Sequence, residues 1–480
     1  MWVERIVVLV YLAACTGIGV LASRRVLASR DEYWVAGRRI GTAVNATAIM
    51  ASLASGGSII GVMGLAYSQG IPDALALFAG AVIGFPLASI LVARQLRNFG
   101  RYTITDFLAF RFPSPVVRLL VPLLIVAAFS TYMVAQLKAA GITAHALLDV
   151  PYDTALVIAT LVFVAYVSIG GMIAITWTDV VQGLIMLVVV LGAALALVWR
   201  AGSPVELIRQ ATDAAPELGR AAQGGVASAV GYFTIWATAI PVIPHIVMRV
   251  LTARDGRSAQ LSLNLAMLAY SAMILAAVLA IVPVGRLGFP ELADADQVFV
   301  RVVQAEFPPL VRGVAVAAVL AAVMSTSDAL LLACSSAIAH DLLGGVLAGR
   351  GERVRAGVQV GTAWAVGALA LCLALSPPEL LTRFYTAGIG LLSAGLFVPT
   401  VAGLWWRRAN RTGGVGALVA GSGTYLLGLV GGLDLGLPPI VVALCASAAA
   451  MWAGGLWGAP DDPEMGRQIA RLHAGAGVGP

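Results

Sequence analysis

Thirteen apolar stretches, each long enough to cross a membrane as a helix, dominate this sequence and decide most of what it can fold into. A helix rising 1.5 Å per residue needs about 20 apolar residues to span a hydrocarbon layer about 30 Å thick. The stretches are 3–22, 42–68, 74–96, 115–148, 153–174, 178–199, 225–249, 262–284, 309–343, 357–376, 381–405, 413–432 and 437–457. They lack the alternation of strands and are too long for barrel strands, so the expected class is an all-α integral membrane protein. Composition agrees. Only 11% of the 480 residues are charged, against about 25% in soluble domains, and mean hydropathy is +0.93. So little charge cannot cover a water-facing surface, which excludes a soluble enzyme. The 53 glycines suit close helix packing in a bilayer. The net charge of +6 comes from arginines scattered between the apolar runs, which is not a nucleic-acid-binding patch.

Cys15, Cys334, Cys372 and Cys445 stand singly inside apolar runs, so neither a disulfide framework nor a zinc knuckle is expected. Glu4 beside Arg5, and no clear cleavage site after the run 6–21, mark the first stretch as a retained span. The connectors 200–224 and 285–308 have room for one small helix each, and the Gly/Pro-rich tail 458–480 is expected to be loose. With the N-terminus outside, 20 arginines fall on the inner side and 8 on the outer, alternating loop by loop. The positive-inside rule then gives N-out and C-in for thirteen spans in a cell membrane.

Two spans carry breaks. The second reads Ala51-Ser-Leu-Ala54-Ser55-Gly56-Gly57-Ser58, and the seventh reads Trp236-Ala-Thr-Ala-Ile240-Pro241-Val-Ile-Pro244-His245. Glycine costs about 1 kcal/mol relative to alanine inside a helix, and two prolines three apart free backbone carbonyls. Freed groups are tolerated at membrane depth where they line a cavity or bind an ion. Matched breaks five spans apart are the mark of a transporter with inverted repeats. The ninth span adds Ala322-Val-Met-Ser325-Thr326-Ser327-Asp328, whose adjacent hydroxyls can join backbone carbonyls in an all-oxygen site for a hard monovalent cation.

These residues, with further blocks, resemble the sodium:solute symporter family over about residues 5–455. The blocks are Asp31-Glu-Tyr-Trp-Val-Ala-Gly37-Arg38, Gly100-Arg-Tyr-Thr-Ile-Thr-Asp106, Ser168-Ile-Gly-Gly-Met-Ile-Ala-Ile-Thr-Trp-Thr-Asp179-Val-Val-Gln182 and Pro244-His-Ile-Val-Met-Arg249. The resemblance implies a leucine-transporter-like core. Segment 1–41 would hold the first helix and an inner Arg-rich loop, 42–199 one five-helix repeat, 200–224 an outer connector, and 225–405 the second repeat. Two final helices would fill 406–457 and an inner tail 458–480. It also implies a sodium site from the carbonyls of Ala51, Ala54 and Ala322 and the hydroxyls of Ser325 and Thr326. Substrate-lining positions would be Ser55, Gly56, Gly57, Trp236, Ile240 and Pro244. Trp236 keeps an aromatic of the proline carriers, whereas Ile240 departs from their tyrosine.

The Pro244–Arg249 and Gly100–Thr103 blocks look most like the acetate/pyruvate branch, so the expected solute is a small monocarboxylate imported with sodium. A sodium-coupled carrier of amino acids such as proline, or of pantothenate, and a proton-coupled carrier are the alternatives. A redox subunit would need paired ligands, and the four histidines show no such spacing; a sensor would need a domain beyond the last span. Asp179, at the start of the sixth span, either guides a departing cation or bonds a neighbouring loop. Asp328 would cap contacts inside its own helix, and His340-Asp341 would sit at the aqueous interface. Lys138, the single lysine, either attracts an anionic solute into the path or snorkels to the outer headgroups.

Overall fold

The computed structural model describes residues 2–23, 34–220, 225–347, 349–376, 380–432, 435–460, 462–475 and 477. Arg24, Arg25, Arg30 and the motif residues 31–33 lie outside them. The chain runs through α1 (Trp2–Ser23), α2 (Thr42–Leu53), α3 (Val62–Gln69), α4 (Ile71–Phe99), α5 (Ile104–Arg111), α6 (Pro115–Leu148), α7 (Tyr152–Ala165), α8 (Gly171–Ala201) and α9 (Pro204–Ala214). It continues through α10 (Gly225–Ala239), α11 (Pro244–Thr252), α12 (Gly256–Gly288), α13 (Val298–Glu306), α14 (Pro309–Leu342), α15 (Glu352–Ala374), α16 (Leu381–Trp405), α17 (Arg411–Leu429), α18 (Pro439–Trp457) and α19 (Pro463–Ala474).

All thirteen apolar stretches fall on helices. Among the described residues, nine segments are long and apolar enough to cross a membrane, or ten with α2 and α3 taken as one span bent by 57°. The remaining stretches coincide with α1, the short apolar α7 and the glycine-rich α17. Where starts are polar, side chains cap them: Thr103 and Asp106 form a capping box on α5, Asp255 accepts from the Ser258 amide at 2.7 Å, and Asn410 caps α17.

One expectation is shifted and one corrected. The fifth and sixth stretches are separate helices, α7 and α8, but the bend lies at Gly171 (φ 53°, ψ −168°), inside the fifth stretch and not between the two. Only glycine takes that conformation without strain. Nor is the tail loose throughout: α19 docks on the C-terminal ends of α4 and α16. Its Leu472 is fully buried, the Asn98 amide donates to the Leu472 carbonyl at 2.7 Å, and His473 donates Nε2–H to the Leu404 carbonyl at 2.9 Å. Both connectors carry the short helix expected, α9 and α13.

α14 is the most enclosed span and packs against α1, α6, the α7–α8 run and α15. α2 packs on α12, the α7–α8 run and α14; α10 lies on α4, α16 on α6, and α17 on α18. The outward faces carry exposed Leu9, Val188, Leu195 and Leu268, with Trp2, Trp199 and Trp457 at helix ends. Such a surface is suited to lipid, with tryptophans at the interfaces.

Candidate functional site

The first break lies where the sequence runs out of helix formers. α2 ends at Leu53, Ala54 leaves helical geometry (φ −72°, ψ 73°), and the chain restarts as a wide turn over Gly57–Gly61. The backbone groups freed there are answered from neighbouring elements. The Gly56 amide donates to Gln136 Oε1 of α6 at 2.9 Å, and Tyr132 donates its hydroxyl to Ser55 Oγ at 3.0 Å. Ser58 donates its amide to Ser55 Oγ at 3.0 Å and its hydroxyl to the Leu53 carbonyl at 3.0 Å. Close approach explains both glycines: a Cβ on Gly56 would stand 2.8 Å from Ala139 Cβ, and one on Gly57 would stand 2.8 Å from the Tyr385 ring.

Across the break, α14 presents its hydroxyls. Ser325 donates to the Ala51 carbonyl at 3.0 Å, with the Ala322 carbonyl at 3.3 Å, and Thr326 donates to the Ser52 carbonyl at 3.1 Å. Adjacent helical residues point about 100° apart, so both reach α2 only because it lies in the groove between their directions. The expected set Ala51, Ala322, Ser325 and Thr326 is thus brought together. Thr326 pairs with the Ser52 carbonyl, not that of Ala54, whose amide closes onto Met50 at 2.8 Å. Ser327, turned further round, is buried with no hydrogen-bond partner among the described residues.

The second break follows the two prolines. α10 ends at Ala239, and the chain unwinds over Ile240–Ile243 before Pro244 starts α11 in its first turn. Trp236 and Ser55 are joined through aromatic rings: Tyr385 stacks on Tyr132 at 5.2 Å and meets Trp236 edge-on at 6.0 Å. Next to them His245 contacts Phe129 at 5.4 Å and Tyr132 at 6.3 Å. Trp236 Nε1 and both ring nitrogens of His245 are buried with no partner among the described residues. They are unpartnered polar atoms set among the aromatic rings of Phe129, Tyr132 and Tyr385 beside the first break. Ile240 packs against Gly84 of α4 instead. Sequence reasoning named Trp236, Ser55, Gly56 and Gly57 but missed Tyr132, Gln136 and Tyr385, which carry no motif. His245 stood within a quoted block and was passed over.

Asp179 lies two turns inside α8, fully buried, where it forms an ion pair with Arg249 of α11 and accepts from Ser52 Oγ at 3.2 Å. Arg249 also donates to Thr176 Oγ1 at 2.7 Å. Neither an interfacial contact nor an open carboxylate describes it; it ties α8 to both broken helices. Asp328 is buried, and its oxygens have no hydrogen-bond partner among the described residues, so it makes no cap inside α14. His340 and Asp341 pair at 2.8 Å, and Thr103 donates to Asp341 at 3.2 Å. That couple lies beneath the loop before α5, with the Asp341 side chain 2% and the His340 side chain 31% exposed. Lys138 does not snorkel. It is buried on α6, 2.9 Å from Asp296.

The chain matches known carriers along most of its length. The family model described as "Sodium:solute symporter family" matches residues 33–421. The high-affinity proline transporter PutP of Bacillus subtilis (strain 168) is 27% identical over 450 residues, 90% of this chain and 93% of that protein. The sodium/pantothenate symporter of Escherichia coli (strain K12) is 28% identical over 468 residues, 93% and 95% of the two chains. Among solved structures, a substrate-bound, outward-open Na+-coupled sialic acid symporter aligns with a TM-score of 0.78 at 17% identity, covering 96% of this chain and 98% of that one. Mhp1, a nucleobase-cation-symport-1 transporter in a closed conformation, aligns with a TM-score of 0.59 at 15% identity, covering 93% and 99%. The fold is therefore the leucine-transporter-like one that the sequence resemblance implied. With 389 consecutive residues matched by the family model, the chain belongs to the sodium:solute symporter family and is a multi-pass membrane transporter coupled to sodium, not an enzyme.

Proposed function

We propose that the chain imports a small monocarboxylate together with sodium, by alternating access around the two helix breaks. The reading takes thirteen spans with the N-terminus outside, and two inverted repeats over 42–199 and 225–405. The observation that carries it is the convergence of Ser325 and Thr326 on the carbonyls of Ala51 and Ser52. Oxygens held within hydrogen-bonding distance of one another beside an unwound segment are the donor set of a monovalent cation site. The Ala322 carbonyl, and that of Ala54 at the break itself, complete the assignment.

The solute belongs in the chamber of Trp236, His245, Tyr132 and Tyr385, next to Ser55, Gly56 and Gly57. Trp236 Nε1–H and an N–H of His245 are donors suited to a carboxylate, and the rings offer apolar area. Arg249, one turn beyond His245, is already neutralised by Asp179. The solute's negative charge is then matched by sodium travelling with it, which favours a compact monoanion such as acetate or pyruvate. The two curated relatives, named for proline and pantothenate, favour a second reading in which the carboxylate belongs to one of those larger solutes.

Uptake into proteoliposomes of labelled acetate, pyruvate, proline and pantothenate, with and without a sodium gradient, tests both. Sodium-driven accumulation of acetate or pyruvate is the expected result. Accumulation of proline or pantothenate alone moves the solute to the second reading. Uptake driven by a proton gradient and indifferent to sodium contradicts both.

A further inference from the structure

Lys138, the chain's only lysine, is enclosed on α6 and engaged by a segment from the far side of the fold. Its ammonium lies 2.9 Å from Asp296 and 3.9 Å from Asp294, in the connector between α12 and α13. The Asp296 side chain is fully buried, and the same oxygen that meets Lys138 accepts the Leu381 amide at the start of α16, at 3.1 Å. Its other oxygen stands against Gly64 of α3, so closely that a Cβ there would come within 2.4 Å of it and 3.0 Å of the Asp296 Cα. The connector holds α3 a second time: Tyr67 donates to the Phe289 carbonyl at 2.5 Å, and the Leu292 amide donates to Tyr67 at 3.2 Å. The helix that follows, α13, holds α6 a second time through Gln304, which donates to the Ala146 carbonyl at 3.0 Å. Burial pushes the Asp296 carboxyl above its ordinary value, and Lys138 opposes the rise.

We propose that Asp296, clamped by Lys138, is a positioning residue for transport: it fixes the outer half of the broken span, α3, against α6 and α16 and so holds the outer side closed. The inference rests on the alternating-access reading above. For solute to enter from outside, α3 must part from α6 and α16, and the Asp296 side chain lies against all three, at Gly64, Lys138 and the Leu381 amide. Neither the sodium site nor the aromatic chamber needs it. Its effect passes through α3, whose inner neighbours Gly56 and Gly57 border the chamber.

Removing Lys138 alone would leave the buried Asp296 charge without its ammonium, with loss of fold as the risk. The chosen variant is therefore the pair Lys138→Met with Asp296→Asn, which keeps shape and an acceptor for the Leu381 amide while removing the charge attraction. Gly64→Ala is the second variant, pushing on the same contact from α3. Hydrogen exchange of the purified full chain is followed in sodium chloride and in choline chloride. In both variants, exchange over 57–69 and 381–390 should rise about tenfold, while the docked tail over 463–474 stays as in wild type.

In proteoliposomes the half-saturating external sodium should fall, by up to about tenfold, and the maximal rate should fall with it. An outward-open state populated more often lowers the apparent dissociation constant in proportion. Wild-type exchange in both variants overturns the proposal. So does exchange raised evenly over the whole chain with half-saturation unchanged, the pattern of a merely structural contact. Absence of sodium-driven uptake in the wild type would instead strike the alternating-access reading, and the exchange data would still report on the clamp.

Discussion

At the scale of residues, the site is a matter of which side chains remain without partners once the breaks are satisfied. Trp236 Nε1 is one, and its ring closes on Tyr385. Trp236→Ala should weaken solute binding by roughly thirtyfold or more, since truncating a central buried aromatic at a binding site costs about 2 kcal/mol. Sodium binding should change little, because the ring supplies no cation oxygen. Solute affinity within a factor of two of wild type would remove Trp236 from the chamber. Asp179 and Arg249 raise a different question, because both are buried and charged. Asp179→Asn strands the guanidinium and should cost about 3–5 kcal/mol of stability, read as a lowered melting temperature in detergent. Arg249→Met added to Asp179→Asn should recover most of that loss; no recovery would show that the pair is not the cause. Much of this was legible in the sequence. Ser325 and Thr326 could be named because adjacent hydroxyls leave a pattern along the chain, whereas Ala51 entered only through the family resemblance. Tyr132, Gln136 and Asp296 could not, since their roles come from helices that meet only in three dimensions.

At the scale of elements, the two breaks were readable because glycine and proline act locally on backbone conformation. Gly56–Gly57 and Pro241–Pro244 therefore announced themselves. The Gly171 bend fell inside the fifth apolar stretch, because one glycine among apolar residues does not interrupt such a run. The boundary was drawn beside the polar Thr176 and Asp179. They are polar groups paired inside the bundle. The tail misled for a similar reason. Its glycines and prolines suggested looseness, yet Asp462 and Pro463 start α19 and Gly475 ends it in a left-handed conformation. The docking of α19 rests on Leu472 and His473. Leu472→Asp should release and unwind it, so that trypsin cuts faster at the already exposed Arg467 and Arg471 while the melting temperature of the membrane core stays unchanged. Cleavage no faster than in wild type would mean that α19 is held by other contacts.

At the scale of the whole molecule, charge bookkeeping separates the candidate solutes. A monoanion entering with one sodium moves no net charge, whereas a zwitterion entering with one sodium gains about 2.3 kcal/mol per 100 mV of membrane potential. Uptake of acetate or pyruvate should therefore be insensitive to a potassium diffusion potential at one-to-one stoichiometry. Strong stimulation by an inside-negative potential would indicate a zwitterion or a second sodium. Beneath that question lies the central claim, that sodium is held where α14 meets the break in α2. Losing one buried polar partner costs about 1–3 kcal/mol, which corresponds to a roughly five- to hundredfold change in affinity. The most direct test is the sodium concentration needed for half-maximal uptake in proteoliposomes containing Ser325→Ala, Thr326→Ala or Ser327→Ala. The account predicts a five- to hundredfold rise for the first two and none for the third, whose hydroxyl makes no bond to α2. Wild-type sodium dependence in both Ser325→Ala and Thr326→Ala would contradict it.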